Sequence, residues 1–251
     1  MFIPSVHAES DPATLHSFIR ANPLGLLITG IRSSSQQFLQ CTHVPFVLDT
    51  VDDTNGVLRA HIAKQNPQAK AMIEHLAERP DILTPEDEVL VVFTAKEHHY
   101  VTPKFYVETK PDTGKVVPTW NYATVQVYGK LTLYYDSKSP EAGAFLAKQI
   151  RDLSEHAESS IMGYTGGERP RPWVVEDAPE KYIEIMQRNI VGIEIRIDQI
   201  QGKFKMSQEM RPGDRDGVAA GFSRLAGEGG PAMAALVRER GALHDAKKRN
   251  L

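Results

Sequence analysis

The sequence predicts a mainly β protein with α-helices, of the α+β class, in which an antiparallel barrel or sandwich is decorated by short helices. Six short runs are rich in apolar and β-branched residues, and most of them are separated by turns rather than by helices. Four helix starts are marked by a proline. This order differs from a repeating βαβ unit, so it favours an antiparallel sheet over a doubly wound parallel one.

Proline marks the starts of the four predicted helices. At the first helical position the missing N–H of proline is harmless, and its fixed φ favours the helix. The starts are Asp11-Pro12, Asn66-Pro67, Ser139-Pro140 and the less cleanly capped Pro179. The apolar residues that follow are Leu15, Phe18 and Ile19; Met72, Ile73 and Leu76; Phe145, Leu146, Ile150 and Leu153; and Tyr182, Ile185 and Met186.

The six β-like runs are 24–30, 38–48, 56–62, 88–94, 124–135 and 190–200. The last two alternate with period two. In the final run Ile193, Ile195 and Ile197 share one face, and charged residues occupy the other. This pattern is typical of a strand with one buried face and one wet face.

Composition is that of an ordinary globular protein. The chain has 251 residues, of which 41% are hydrophobic, and a net charge of -3 that gives no general attraction to nucleic acid. The single cysteine, Cys41, cannot form an intramolecular disulfide, which fits a reducing compartment. No signal peptide and no membrane-spanning apolar segment occurs in the sequence, so we expect a cytoplasmic protein that does not enter a membrane.

Several catalytic and nucleotide-binding motifs are absent from the sequence. It contains no G-x-G-x-x-G after a strand, no G-x-x-x-x-G-K-[ST], no G-x-S-x-G and no H-E-x-x-H. His98 and His99 are adjacent, and side chains of adjacent strand residues point to opposite faces, so the pair is a poor metal site. We expect no metal centre.

Three segments lie outside the predicted strands and helices. The stretches 108–116 and 154–172 are polar and turn-rich, which predicts loops. The tail from about residue 226 begins with GEGGP and continues as a helix-compatible stretch that ends in Lys247, Lys248 and Arg249. It is either a solvated terminal helix or a contact for nucleic acid.

The first candidate site is the segment 58–70, where a strand that reaches His61 is followed by a helix that begins at Asn66-Pro67. Free N–H groups at a helix start carry partial positive charge, and Lys64 and Lys70 add full charges near them. The segment therefore suits a phosphate. In the alternative interpretation, Asn66 is a simple N-cap and the lysines are solvated.

The second candidate is the segment 41–48, in which Thr42 and His43 stand beside Pro45. Pro45 cannot donate to a strand ladder, so it indicates an edge strand or a bulge where side chains can face a ligand. His43 could equally be a hydrogen-bonded core or interface histidine.

The third candidate is the segment 117–129, which places Trp120, Asn121 and Tyr122 at the start of a strand. Aromatic rings suit a flat ring system or a subunit interface, and an asparagine offers a donor and an acceptor to a heterocycle. An aromatic plug at the barrel end is the alternative.

The fourth candidate is the segment 201–218, where hydroxyl, amide and cationic side chains surround Phe204. They suit a phosphate, a flavin edge or a nucleic-acid backbone, and a solvated turn is the alternative. The residues concerned are Lys203, Lys205, Ser207, Gln208, Arg211 and Arg215.

Together these segments resemble the PaiB family of FMN-binding split-barrel proteins, which are often labelled negative transcriptional regulators. The resemblance extends over residues 1–218. Its most specific parts are THVP (42–45), HIAKQNPQ (61–68), VPTWNYATVQVYG (117–129) and GIEIRIDQIQGKFKMSQ (192–208). The chain departs from the family at 95–103, where the family has a Gly-Pro-His turn, and its loop 108–116 and its tail are long.

The resemblance implies a Greek-key split barrel over 1–225, a helical tail over 226–251, and a homodimer with two FMN sites at its interface, as in pyridoxamine-phosphate-oxidase-like proteins. Thr42 and His43 would line the isoalloxazine or the ribityl chain. His61, Ala63, Lys64 and Gln68 would hold the ribityl chain and the phosphate. Trp120 and Asn121 would reach in from the second subunit, and Lys205, Ser207 and Gln208 would close the site.

Three functions are compatible with such a site. The first is an FMN-dependent oxidoreductase of the flavin reductase type, with a nicotinamide electron donor, in which bound flavin does the redox chemistry and no catalytic motif is needed. The second is a regulator whose basic tail contacts DNA. The third is a haem-binding or haem-degrading split barrel with His43 or His61 as axial ligand.

Overall fold

The computed structural model describes residues 1–50, 55–78, 88–136 and 138–249. Within them the chain forms nine strands and seven α-helices. The strands are β1 Ala8–Glu9, β2 Leu24–Gly30, β3 Leu39–Pro45, β4 Val47–Asp49, β5 Val57–Ala63, β6 Val89–Thr94, β7 His99–Val101, β8 Thr119–Tyr134 and β9 Ile190–Lys205. The helices are α1 Pro12–Ala21, α2 Pro67–Glu78, α3 Thr109–Thr113, α4 Pro140–Glu155, α5 Glu180–Arg188, α6 Pro212–Ser223 and α7 Gly229–Arg249.

The strands join one sheet in the order β3-β2-β6-β8-β9-β5-β4, with β1 paired to β9 and β7 paired to β8. The pairs β2–β3, β2–β6, β4–β5 and β5–β9 are antiparallel, and so are the two additional pairs. The predicted fold class, an antiparallel β structure of the split-barrel type decorated by short helices, is confirmed.

All six predicted strand runs are strands, and three of them differ from the observed strands by more than one residue. The run 38–48 is divided at Phe46, whose N–H donates to the carbonyl of Pro23 at 2.8 Å instead of to a ladder. Pro45 ends β3, the strand at one end of the sheet order, as its missing N–H predicts. β8 starts earlier and β9 ends later than the runs do, because β7 pairs with Thr119–Asn121 and β1 pairs with 202–203.

The proline-marked helix starts are confirmed, and three of them carry the capping side chain that the sequence indicates. Asp11 accepts from Thr14 N–H at 2.8 Å, Asn66 from Gln68 N–H at 2.8 Å, and Ser139 from Ala142 N–H at 3.4 Å. The fourth helix, α5, begins after Pro179 without a side-chain cap. The apolar residues of α5 are exposed to solvent: the exposed fractions of Tyr182, Ile185 and Met186 are 56%, 54% and 41%.

The segments predicted as loops and tail contain more regular structure than the sequence indicated. The stretch 108–116 contains α3, and 154–172 begins with the end of α4 and a π-helical turn at His156–Ile161. The tail forms α7, in which Met233, Ala234 and Val237 are buried. α7 is therefore not solvated on every side.

The chain divides into two compact units. The first unit comprises Met1–Leu15, Thr94–Val125 and Gln201–Leu251. Its buried side chains include Phe222 of α6, which meets Phe105 edge to face at 5.6 Å. Gly217 and Gly221 allow this approach, because a Cβ at Gly217 would lie 2.1 Å from the carbonyl oxygen of Phe105.

The second unit comprises His16–Phe93 and Gln126–Ile200. Its core is formed by the inward residues of the alternating strands, such as Leu27, Val91, Ile193 and Ile195, each fully buried. The alternation predicted for β9 is therefore confirmed. No helix among the described residues is both long and apolar enough to cross a bilayer.

Candidate functional site

The predicted site residues of the second unit include a polar group that we call the β3–α2 cluster: Thr42, Asn66 and Gln68. Asn66 donates to the Thr42 hydroxyl at 3.1 Å and caps α2 through the Gln68 N–H. The Gln68 amide nitrogen lies 2.9 Å from the Thr29 hydroxyl and also reaches the carbonyls of Leu27 and Gln40. The cluster thus fastens the start of α2 to strands β2 and β3.

The start of α2 offers few free donors for a phosphate. The backbone N–H groups of Lys64, Asn66 and Gln68 already donate to Asn189, Ala63 and the Asn66 side chain. The interpretation of Asn66 as an N-cap is confirmed. Within the described parts of the chain neither Lys64 nor Lys70 forms an ion pair, so an anion here would depend on their charges.

His43 is not part of this cluster. It follows Thr42 on β3, and consecutive strand residues point to opposite faces. His43 is exposed, whereas Thr42 is half-buried. The two side chains that the family resemblance assigns to one wall of the flavin site therefore face different directions within this subunit.

His61 and Ala63 of β5 line a separate cavity of the second unit, of about 380 Å³. Its other walls are mainly apolar and include Ile150, Trp173 and Met186, whereas the three residues of the β3–α2 cluster do not line it. The His61 Nδ1 is buried, with no hydrogen-bond partner in the described ranges. Burial lowers the pKa of His61, so the ring is neutral at neutral pH.

The first unit brings together the remaining predicted residues, Trp120, Asn121, Lys205, Ser207 and Gln208, which we call the β8–β9 cluster. Asn121 is 0% exposed, and its Oδ1 accepts from the Ser207 hydroxyl at 3.1 Å. The Asn121 Nδ2 is buried, with no partner among the residues described. Ser207 has φ 61°, the one positive value outside glycine in the described chain, and such strain is often found at functional sites.

Lys205 and Trp120 border this buried pair. The Lys205 ammonium donates to the Thr119 hydroxyl and to the Trp120 carbonyl, the latter at 3.1 Å. Burial lowers the pKa of Lys205, and the charge of Glu209 opposes that effect. The Trp120 ring is 49% exposed and lies 6.2 Å, centre to centre, from the ring of Tyr100. A flat aromatic face is therefore available beside a cation.

Gln208 has a different environment from its neighbours. Its Oε1 accepts from the Met206 N–H at 2.6 Å, and its Nε2 donates to the carbonyls of Phe204 and Val6. These bonds hold the turn that follows β9. Both ends of its side-chain amide therefore already have partners within the first unit.

The donor set fits a flavin when each unit is considered by itself. Three predicted residues bury a polar atom that has no partner among the described residues: His61 Nδ1, Gln68 Oε1 and Asn121 Nδ2. Such atoms are costly, because a buried polar group normally has a hydrogen bond. The isoalloxazine edge presents carbonyl acceptors and a ring N–H donor, which match an amide donor and an amide acceptor.

Sequence reasoning missed Tyr106. Its side chain is buried, and its hydroxyl lacks a partner in the part of the chain that the structure describes. Burial, with the charges of Glu209 and Asp214, raises the pKa of Tyr106 to about 12. No periodic pattern surrounds it, and the one available signal was its place in the aromatic pair Phe105-Tyr106 before the polar loop.

No group of three or more His, Cys, Asp or Glu residues that could hold a metal ion occurs within the described ranges. His99 instead packs on Phe222, with ring centres 5.3 Å apart.

The antiparallel sheet with its capped helices defines an α+β protein of the split-barrel class. A family model described as "Putative FMN-binding domain" matches residues 1–199, and the chain belongs to that family. Membership supports a flavin as the cofactor. It also agrees with the PaiB resemblance that the four sequence segments carry.

Similar proteins occur in fungi and bacteria. An uncharacterized protein of Aspergillus fumigatus is 56% identical and covers 98% of this chain and 100% of its own length. Protease synthase and sporulation protein PAI 2 of Bacillus subtilis is 24% identical over 96% of this chain and 98% of its own. Among solved structures, the flavocytochrome Anf3 of Azotobacter vinelandii is 13% identical, with a TM-score of 0.44 over 79% of this chain and 69% of its own.

Proposed function

We propose that this protein is an FMN-dependent oxidoreductase in which the β8–β9 cluster contacts the flavin ring. The observation that carries the proposal is Asn121, a fully buried amide whose Nδ2 has no partner among the described residues and whose Oδ1 is held by a strained serine. Burying such a donor without a ligand costs free energy. A flavin carbonyl would satisfy it.

The chain's own residues bind and orient the cofactor. Asn121 donates to the ring edge, Ser207 fixes the amide in place, and Trp120 offers an aromatic face to a flat ring. The resemblance to the PaiB family assigns the ribityl chain and the phosphate to His61 and Lys64. The bound flavin supplies the redox chemistry, which accounts for a sequence without a catalytic acid or nucleophile motif.

A homodimer is part of the proposal. Large apolar side chains are exposed on α5 and in the segment before it, including Trp173, Tyr182 and Ile185. Trp173 and Met186 also line the cavity that contains His61. Exposed apolar surface of this kind is typical of an interface, and a second subunit would cover it.

Titration of the purified protein with FMN, followed by absorbance and flavin fluorescence, tests the proposal. We expect the protein to bind FMN. We also expect the absorbance band of the flavin to bleach when NADH or NADPH is added under anaerobic conditions. Asn121→Leu should weaken FMN binding about tenfold, the value of one hydrogen bond to a buried group. A protein that takes up no FMN would overturn the proposal.

Gln149→Leu is the matched control. Like Asn121, Gln149 is a fully buried amide whose nitrogen, Nε2, has no hydrogen-bond partner among the described residues. Its Oε1 accepts from Arg59 at 3.1 Å. It lies outside the predicted site, so its replacement should leave FMN affinity unchanged. Addition of haem to the same samples tests the alternative cofactor: a Soret band that is lost in His61→Ala would favour haem over FMN.

A further inference from the structure

A cavity of about 410 Å³ in the first unit has Lys205 of the β8–β9 cluster in its wall, and the flavin proposal does not use its other lining residues. Its apolar lining residues are Val116, Val117, Pro118 and Met210. Its polar lining residues include Thr119 and Lys205. The cavity therefore combines an apolar wall with a hydroxyl and a cation.

The acidic residues of this cavity are already bound within the protein. Asp214 accepts from the N–H groups of Glu108 and Thr109 at 2.9 and 3.2 Å. Glu209 pairs with His7 at 3.0 Å. Both carboxylates thus have hydrogen-bond partners elsewhere in the first unit, and the charge of Glu209 also acts on Lys205.

Two basic residues of the cavity, Arg211 and Lys205, differ in whether they form an ion pair. Arg211 pairs with Asp112 at 2.9 Å, whereas Lys205 donates only to two neutral oxygens and forms no ion pair with any described carboxylate. An ammonium has three donors, so one N–H of Lys205 remains. A half-buried cation with no described carboxylate at ion-pair distance can take a further anion as a partner.

We propose that this cavity binds a small organic anion, with its acid group on Lys205 and its apolar body against Val116, Val117 and Met210. Lys205 also belongs to the β8–β9 cluster, so the anion lies beside the proposed flavin site. Tyr106 borders the same cavity, and its raised pKa keeps its buried hydroxyl protonated as a donor. Binding weakens as ionic strength rises, because the contact is electrostatic.

Isothermal titration of the full-length protein with three probes of similar shape tests the proposal. Benzoate and phenyl phosphate carry the two acid groups that fit, and benzyl alcohol carries neither charge. We expect one or both anions to bind at least about tenfold more tightly than the alcohol, as charge-assisted hydrogen bonds imply. The titration needs no flavin, so its result is independent of the proposed function.

Lys205→Met should abolish this preference for the anion, and Lys203→Met is the matched control. Lys203 lies two residues earlier on β9, donates to the Phe2 carbonyl at 3.1 Å and does not line the cavity. Both variants lose one positive charge. Equal weakening in the two variants, or benzoate binding that survives Lys205→Met, would overturn the proposal.

A second variant does not depend on how well Lys205→Met folds. Val117 is 74% exposed, so Val117→Asp should fold normally and place a carboxylate in the cavity wall. We expect it to weaken benzoate binding by more than it weakens benzyl alcohol binding, because only benzoate is repelled by the new carboxylate. Unchanged benzoate affinity in this variant contradicts the proposal.

Discussion

The two polar clusters differ in how completely the protein satisfies them. In the β3–α2 cluster the Gln68 amide nitrogen reaches three acceptors on two strands, and Asn66 uses both ends of its side chain. In the β8–β9 cluster Asn121 keeps a buried donor without a described partner, Ser207 is strained, and Lys205 lacks a counter-ion. The first cluster forms most of its possible bonds and keeps one buried acceptor, Gln68 Oε1, without a described partner. The second combines an orphan donor with backbone strain and a cation that has no described ion-pair partner.

Amides and hydroxyls occur at strand ends in both clusters, but they are not equally good evidence for a bound ligand. Side chains whose bonds are complete within the chain are explained by stability alone. Side chains left incomplete in a buried place are better candidates for contact with a ligand. The two clusters can therefore be separated by measuring stability and binding on the same variants.

The largest expected effect is the contrast between Gln68→Leu and Asn121→Leu in urea unfolding. Gln68→Leu removes several buried bonds and should lower the free energy of unfolding by about 2–3 kcal/mol. Asn121→Leu removes one bond and one orphan donor, so its loss should stay near about 1 kcal/mol. Equal losses would show that both clusters serve stability.

The second effect is the loss of folding stability at low pH through two carboxylates, Asp152 and Asp214. Burial raises the pKa of Asp152, but bonds and charges from Lys148 and Arg59 lower it below its ordinary value. Burial likewise raises the pKa of Asp214 in the first unit, but neutral N–H donors of Glu108 and Thr109 contribute to lowering it. Because both folded pKa values lie below the unfolded ones, both groups stabilise the fold above about pH 4, and the stability is lost as the pH falls through the folded values.

High salt should change the stability cost of replacing Asp152 but not that of replacing Asp214. Asp152→Asn should cost about 1 kcal/mol at neutral pH, and high salt should reduce that cost because the pairing is ionic. Asp214→Asn should cost about 1–2 kcal/mol, largely independent of salt. Urea titrations at low and high ionic strength measure both, and a salt-sensitive Asp214→Asn penalty would contradict the assignment.

The smallest effect is at Ser207. Ser207→Gly and Ser207→Ala both remove the hydroxyl that donates a hydrogen bond to Asn121 Oδ1. Only glycine adopts a positive φ without strain. The glycine variant should be more stable than the alanine variant by about 1 kcal/mol. Thermal unfolding of the pair measures the strain directly, and identical stabilities would mean that this backbone carries none.

Periodicity predicted most of the fold, and its failures have physical causes. The six runs became strands because alternating residues share one buried face, as Ile193 and Ile195 show. β1 and β7 were not predicted, because two or three residues leave no period. α6 was missed in a segment interpreted as a turn, although Arg211-Pro212 carries the same proline signal as the other helix starts.

The site was predicted in part, residue by residue. Thr42, Asn66 and Gln68 are close in sequence to the helix start that assembles them, so a motif identifies them. The contact of Asn121 with Ser207 joins residues 86 positions apart, and no local pattern predicts it. The burial of Tyr106 depends in the same way on the rest of the first unit, so no periodic pattern around Tyr106 indicates it.

The composition of the first unit from three separate stretches has a consequence for how the chain is made. Its amino-terminal segment ends at Leu15, yet α6 and α7, which contain many of its buried residues, lie after residue 201. During synthesis the early segment must wait until nearly four-fifths of the chain has left the ribosome, since 200 of the 251 residues precede the last stretch. Closure over such sequence distances is slow, and His7, Leu15 and their neighbours meet their final partners last.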